Sequence, residues 1–334
     1  MTVETNAEPL PPSPIEIARF SADFRRLAAN IETVLRGKPE TVRLALICLF
    51  PEGHLLIEDK PGVGKTTLAQ CLARSIDAAW NRIQFTPDLL PSDVTGTTVF
   101  DPRDPSTTFR PGPVFAHLVL ADEINRASPK TQSALLEVMQ ERQVTVDGKG
   151  QPMARPFLVV ATQNPIDMRG TYPLPEAQLD RFLMRIDLDY PSASAETLVL
   201  RDAREGRTGA QIQPVLSREE VGAHMDLTRR VTVATTMDDY IVRLVAATRE
   251  RPRELRLGAS PRGSIALMRA AQVRALAEDR DHVRPEDVQA LAVSVLAHRT
   301  LLTADAEMQG VDARQVIADV VATVDVPKRL GLAR

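Results

Sequence analysis

Apolar positions in the first half of the chain come in short unbroken runs that end in polar residues: HLLIED at 54–59, HLVLADE at 117–123 and FLVVATQN at 157–164. Runs of this length without alternation predict strands buried on both faces, as in a parallel sheet. After the first run, TTLAQCLARSI at 66–76 spaces its apolar residues as a helix does. The alternation of strand and helix continues to about residue 190 and predicts an α/β core. Past DLDYPSAS the pattern changes. SREEVGAHMDLTRR, TMDDYIVRLVAATRER, SPRGSIALMRAAQVRALAED and RPEDVQALAVSVLAHR all read as helices, with no strand of comparable strength. The expected organisation is a flexible tail over 1–15, an α/β core over 16–190 and an all-α domain over 191–334.

Composition narrows the picture without redrawing it. The 334 residues are 43% hydrophobic and 25% charged, enough for roughly two domains with real cores. A formal net charge of −3 supplies no field for a polyphosphate backbone, so nucleic acid is not the expected partner. Cys48 and Cys71 have neither metal-ligand spacing nor the density of a disulfide scaffold, and the five histidines are scattered. The proline-rich, acidic start lacks a basic and apolar leader, and the longest apolar stretch, VRLALICLF at 42–50, is too short for a bilayer. The expectation is a cytoplasmic protein with no integral membrane segment.

Candidate chemistry gathers at the ends of the three predicted strands. In parallel sheets ligands sit beyond the carboxyl ends of strands. The first run enters DKPGVGKT at 59–66, a phosphate-loop pattern in which Asp59 stands where the first glycine is usual. Pro61 and Gly62 shape the turn, and Gly64 lets backbone N–H groups close on phosphate oxygens at a helix N-terminus. Lys65 would neutralise the β- and γ-phosphates and Thr66 would ligate Mg2+. Pro61, Gly62, Val63, Gly64, Lys65, Thr66 and Thr67 form the expected nucleotide-binding set. A carboxylate at 59 is tolerable if it points away and accepts backbone hydrogen bonds. The second run ends in Asp122 and Glu123, one placed to hold Mg2+ through water and the other to polarise a water for attack on the γ-phosphate.

GPVFAHLVLADEINRASPKTQSALLEVMQERQVTVDG at 112–148 and ATQNPIDMRGTYPLPEAQLDRFLMRI at 161–186 resemble the MoxR family of AAA+ ATPases, and the resemblance runs from about residue 20 nearly to the C-terminus. It implies a P-loop NTPase sheet flanked by helices, followed by an all-α lid. In that family the first glycine of the loop is often replaced by Asp. The resemblance assigns Asn164 as the first sensor, orienting the attacking water. Arg181 in LDRF matches the arginine finger, which reaches a neighbouring subunit's nucleotide. Arg262 in GASPRGSIALMR matches the second sensor, serving its own site or a neighbour's. Arg126 reads equally as a subunit-boundary residue or as half of a local salt bridge. The segments 85–115 and 141–157, the second turning at Asp147 and Gly148, resemble the family's two hairpin insertions, which face a pore or partner or are simply solvated.

These assignments imply a Mg2+-dependent ATP hydrolase whose sites are completed between subunits of a homo-oligomer, expected as a hexameric ring. The resemblance further implies chaperone-like remodelling of clients, with von Willebrand A domain partners and metal-cofactor insertion among the family's roles. Two other classes stay open on the residues alone: a nucleotide-gated switch with little hydrolysis, and a small-molecule P-loop kinase. A DNA remodeller would share the same engine.

Overall fold

The computed structural model describes residues 10–60, 62–101, 106–146, 148–164, 170–206 and 209–327. Pro61, Asp147 and the first nine residues of the expected tail lie outside them. The three apolar runs become β1 (Leu55–Glu58), β5 (Leu118–Asp122) and β8 (Leu158–Gln163), joined by β2 (Trp80–Gln84) and β9 (Met184–Ile186). They form one parallel sheet in the order β2-β5-β8-β1-β9. Successive strand residues point to opposite faces. Accordingly Leu55, Ile57, Leu118, Leu120, Leu158 and Val160 pack into one apolar cluster, and Leu56, Val119, Ala121, Val159 and Ala161 into the other. Both faces are buried, which is why these runs show no alternation.

Helices α1 (Pro14–Glu32), α2 (Pro39–Leu49) and α3 (Lys65–Ser75) cover the first face, and α5 (Pro129–Glu141) covers the second. Short α4 (Pro91–Thr95) precedes the hairpin β3–β4 (Gly96–Asp101, Ser106–Pro111), and β6–β7 (Gln143–Val146, Lys149–Pro152) forms a second antiparallel hairpin. Both fall in the segments expected to insert. Gly96 (φ 96°) and Gly112 let the base of the first hairpin close, since a Cβ on either would meet backbone atoms at 2.3–2.4 Å. Short α6 (Glu176–Leu179) leads into β9.

Downstream come α7 (Ala193–Arg204), α8 (Arg218–Thr228), α9 (Thr235–Ala247), α10 (Pro261–Ala277), α11 (Pro285–Leu296), α12 (Ala304–Met308) and α13 (Ala313–Thr323). Ser217 and Glu220 form a capping box at α8, and Ser260 caps α10 ahead of Pro261, so these boundaries are written locally. The expectation of helices alone needs correcting. A two-stranded ribbon, β10 (Leu255–Leu257) with β11 (Leu301–Leu302), lies among them. Strands of three and two residues are too short to register as periodicity.

The helical start also differs from the expected tail. Ser13 and Glu16 make a capping box with Pro14 in the first turn, so α1 begins before residue 16. Arg230 grips Glu16 at 2.7 Å, His224 meets Asp23 at 2.9 Å and Arg19 meets Glu220 at 2.9 Å. α1 thereby braces the downstream helices as well as the sheet.

His54 shows how strictly the core constrains protonation. Its Nδ1 accepts from Val159 N–H at 3.0 Å, so its Nε2, 3.0 Å from the Met139 carbonyl, carries the proton. Burial pushes its pKa down from 6.5 to about 4. The unfolded chain therefore binds a proton that the folded one refuses, and stability present above pH 6.5 is lost on acidification. The unfolding free energy in urea is expected to fall from pH 6.5 to 5, with His54→Gln reducing that slope by about 1 kcal/mol per pH unit. An unchanged slope in the variant would contradict this assignment.

Candidate functional site

β1 ends one residue before Asp59, and α3 begins at Lys65. Between them Gly62 (φ 82°) and Gly64 (φ 105°) adopt left-handed backbone. Gly64 is the N-cap of α3 and gives it no side-chain cap, which leaves the first N–H groups of the helix for a ligand. Lys65 Nζ donates to the Asp59 carbonyl at 2.5 Å, and partial burial lowers its pKa against the opposing pull of Asp59, Asp122 and Glu123.

The Asp59 carboxylate turns away from this loop. Its Oδ1 accepts from Lys60 N–H at 2.7 Å, and its Oδ2 from the N–H groups of Leu188 and Asp189 at 2.7 and 2.6 Å. The side chain is buried, and it holds the chain where β9 leaves the sheet for α7. A glycine could not make this link. The local backbone hydrogen bonds expected of Asp59 are present, and they fasten the loop to the exit of the α/β core.

At the end of β5, Asp122 and Glu123 are held by a set of polar partners. Thr162 Oγ1, on β8, donates to Asp122 Oδ1 at 2.6 Å and accepts from Glu123 N–H at 2.9 Å. Arg82 Nη2 donates to Asp122 Oδ2 at 2.6 Å, and Gln84 Nε2 to Glu123 Oε2 at 3.1 Å. Arg126 lies 3.3 Å from Glu123, the local ion pair that was one of its two readings. Glu123 itself sits at φ 55°, a strained conformation for a non-glycine residue and one often found at functional sites.

A cleft of about 400 Å³ collects Gly62, Gly64, Lys65, Thr66, Thr67, Asp122, Glu123 and Asn164, with Arg82 and Gln84 on its far wall. Sequence reasoning missed Arg82, Gln84 and Thr162. The first two are polar residues two apart in WNRIQ, on one face of β2 by strand period. The register that sets Gln84 beside Asp122 is a tertiary fact.

Arg181 and Arg262 do not line this cleft. They meet in a second one of about 270 Å³, beside Gly53, His54 and Leu183, at the amino ends of β1 and β9. The resemblance leaves Arg262 to serve its own site or a neighbour's, and it stands with Arg181 rather than beside the phosphate loop of its own chain. Arg299 fixes the geometry here. Its side chain is 3% exposed and pairs with the Asp180 carboxylate, while Nη1 donates to the Asp180 carbonyl at 2.7 Å and Nη2 to the Phe182 carbonyl at 2.5 Å. Asp180 Oδ2 accepts from Ser260 Oγ at 2.9 Å, and that Oγ caps Arg262 N–H at 3.1 Å. The residues flanking Arg181 and the start of α10 are thus one hydrogen-bonded block.

A parallel sheet with a glycine-rich loop and paired acids at its strand ends, followed by helices, defines an AAA-type nucleoside triphosphatase. Residues 54–184 match the ATPase family associated with various cellular activities, and 246–320 match the AAA lid domain. The chain is 47% identical over 305 residues to the uncharacterized protein YeaC of Bacillus subtilis, covering 91% of this chain and 95% of YeaC. It is 41% identical over 314 residues to the chaperone MoxR1 of Mycobacterium tuberculosis, covering 91% and 82%. A crystal structure of a candidate ATPase from Cytophaga hutchinsonii superimposes with TM-score 0.87 at 38% identity, covering 93% of this chain and 97% of that one. The chain belongs to the MoxR family of AAA+ ATPases.

Two charge-assisted hydrogen bonds to Leu188 and Asp189 disappear in Asp59→Gly. That substitution is expected to lower the unfolding free energy by about 2–4 kcal/mol while leaving binding of a fluorescent ATP analogue within a few-fold of the parent. Loss of binding without loss of stability would instead place the carboxylate at the nucleotide.

Proposed function

We propose that this protein hydrolyses ATP at sites completed between protomers. The observation that carries the reading is the separation of the two clefts: phosphate-loop chemistry at the carboxyl ends of the strands, and Arg181 with Arg262 at their amino ends. One protomer's arginine cleft can serve only another's nucleotide. A contact joining unlike ends is heterologous and closes into a ring when its rotation permits, and we take the ring to be a hexamer.

Within a protomer, the N–H groups of 62–66 and the Lys65 ammonium would bind the β- and γ-phosphates. The donors also suit Mg2+, a hard cation that prefers oxygen, in the Thr66 hydroxyl and the Asp122 carboxylate. No group of three or more metal-binding side chains occurs among the described residues, so phosphate and water oxygens would complete the shell. Bound there, Mg2+ supplies charge neutralisation and a fixed orientation of the phosphates.

Glu123 would polarise the attacking water, with Gln84 holding the carboxylate and Asn164 orienting the water from the end of β8. Lys65 and Arg82 balance Asp122 and Glu123 in this cleft, so a bound triphosphate keeps net negative charge facing outward. Arg181, and Arg262 in trans, would meet that charge as it redistributes in the transition state.

The domain division near residue 190 then acquires a purpose. The helical lid over 191–334 would move with Arg262, and the Asp59 link would carry the state of the loop to the start of that lid. No helix among the described residues is long and apolar enough to cross a membrane. We assign the motor to cytoplasmic, chaperone-like remodelling or maturation of client proteins, supported by the chaperone name of MoxR1. Partners with von Willebrand A domains and metal-cofactor insertion are the finer forms of this reading.

ATPase rate per protomer should rise with protein concentration, and Arg181→Ala should cut it by about 10³-fold with ATP binding retained. A concentration-independent rate untouched by Arg181→Ala would sink the interface reading. Glu123→Gln should bind ATP yet turn over about 10²–10⁴-fold more slowly. Equal turnover in parent and variant would favour the nucleotide-gated switch.

A further inference from the structure

The second cleft holds more positive charge than Arg181 and Arg262 supply. α10 presents Arg262, Ile265, Ala266 and Arg269 to it, the spacing of a single helix face. Its two carboxylates, Glu52 and Asp180, are already fully engaged. Glu52 accepts from Arg142 at 2.8 Å, Arg155 at 2.9 Å and Arg229 at 2.6 Å. Asp180 is taken by Arg299 and Ser260.

Nothing is left for the other three cations. Among the described residues, the side chains of Arg181, Arg262 and Arg269 make no hydrogen bond or ion pair, and Arg181 Nε is buried without a partner. Burial holds His54 and His298 below their usual pKa, so neither adds charge near neutral pH. Three guanidinium groups around one cleft thus have no acid of their own and suit an anion from outside the chain. Ile265, nearly half exposed between two of them, marks the wall as a surface that something covers. Arg262 and Arg269 stand two helical turns apart, about 10 Å along the axis, a spacing that suits an extended anion better than a single carboxylate.

We propose that Arg269 is a third guanidinium placed on the triphosphate bound by the adjoining protomer, beside Arg181 and Arg262. The proposal rests on the reading of the site as one completed between protomers. The occupant is identified by charge. The phosphate cleft is internally balanced, so its bound nucleotide presents the net negative charge that this wall lacks.

The test compares Arg269→Ala, Arg269→Lys, Arg181→Ala and Lys65→Ala by ATPase rate across protein concentration, alone and mixed. Arg269 is exposed on α10, and Arg269→Lys preserves charge if Arg269→Ala melts early. Arg269→Ala should bind ATP at its own loop as the parent does but turn over at least about tenfold more slowly at saturating protein concentration, with Arg269→Lys in between. Mixing Arg269→Ala with Lys65→Ala should raise the rate above either alone, because the second chain brings intact arginines to a neighbour with an intact loop. If Arg269→Ala stays within about twofold of the parent while Arg181→Ala is slow and rescued by Lys65→Ala, the Arg269 proposal falls and the interface reading stands. Rescue of Arg181→Ala but not of a slow Arg269→Ala would place Arg269 in its own protomer and overturn the proposal. Full recovery of Arg269→Ala simply at higher protein concentration would assign it to a protein contact and likewise overturn the proposal. Failure of Lys65→Ala to rescue Arg181→Ala removes the interface reading and this proposal together.

Discussion

The ion pair of the buried Arg299 with Asp180 is the constraint on which the docking of the helical region against the sheet depends. Arg299 comes from the turn just past α11, in the helical region, and Asp180 from the segment that enters the last strand of the sheet. Removing one partner of such a pair typically costs about 3–5 kcal/mol, because the other charge is left desolvated. The pair is also geometrically demanding, since the same guanidinium binds two main-chain carbonyls around Arg181. A lid that shifted relative to the sheet would have to break these bonds or carry Arg181 along. The position of the arginine and that of the lid are therefore one variable.

Asp59 plays the corresponding part at the other end of β1. Its carboxylate fixes the backbone at Leu188 and Asp189 while its carbonyl receives Lys65. Binding of phosphate by Lys65 would compete with that last bond, so occupancy of the loop is felt at the residue that anchors the passage to the lid. Glu52 repeats the device with three arginines drawn from the end of α5, from the segment between the β6–β7 hairpin and β8, and from the end of α8. Carboxylates satisfied by several donors thus recur at Glu52, Asp59 and Asp180, each beside a strand of the sheet. Each is stable only as a complete set.

Electrostatics sets the two clefts of the chain apart. Lys65 and Arg82 against Asp122 and Glu123 leave the phosphate cleft balanced, whereas the arginine cleft has exhausted its acids and keeps uncompensated guanidinium groups. A chain with a formal net charge of −3 thus carries a strongly positive wall at a defined place. Net charge describes the solution behaviour of the whole molecule. It does not describe a cleft.

The strands, the glycine-rich loop and the capped helices were legible because each is written in contiguous residues. Unbroken apolar runs imply two-sided burial, Gly62 and Gly64 imply left-handed turns, and Ser ahead of Pro implies a helix start. The same locality made Lys65, Thr66, Asp122, Glu123 and Asn164 readable as one site, since parallel strands deliver their carboxyl ends together. The roles of Arg82, Gln84 and Thr162 were hidden because they arise from strand register between segments far apart in sequence. The ribbon of β10 and β11 was hidden because pairing, not pattern, creates strands that short. What only the tertiary structure decided is the side of the sheet on which each arginine stands. Spacing along a chain places a residue on an element, but the separation of Arg262 and Arg269 from the phosphate loop follows from how the lid docks against the entry to β9, where Arg181 stands. Docking is set by buried pairs between residues more than a hundred positions apart.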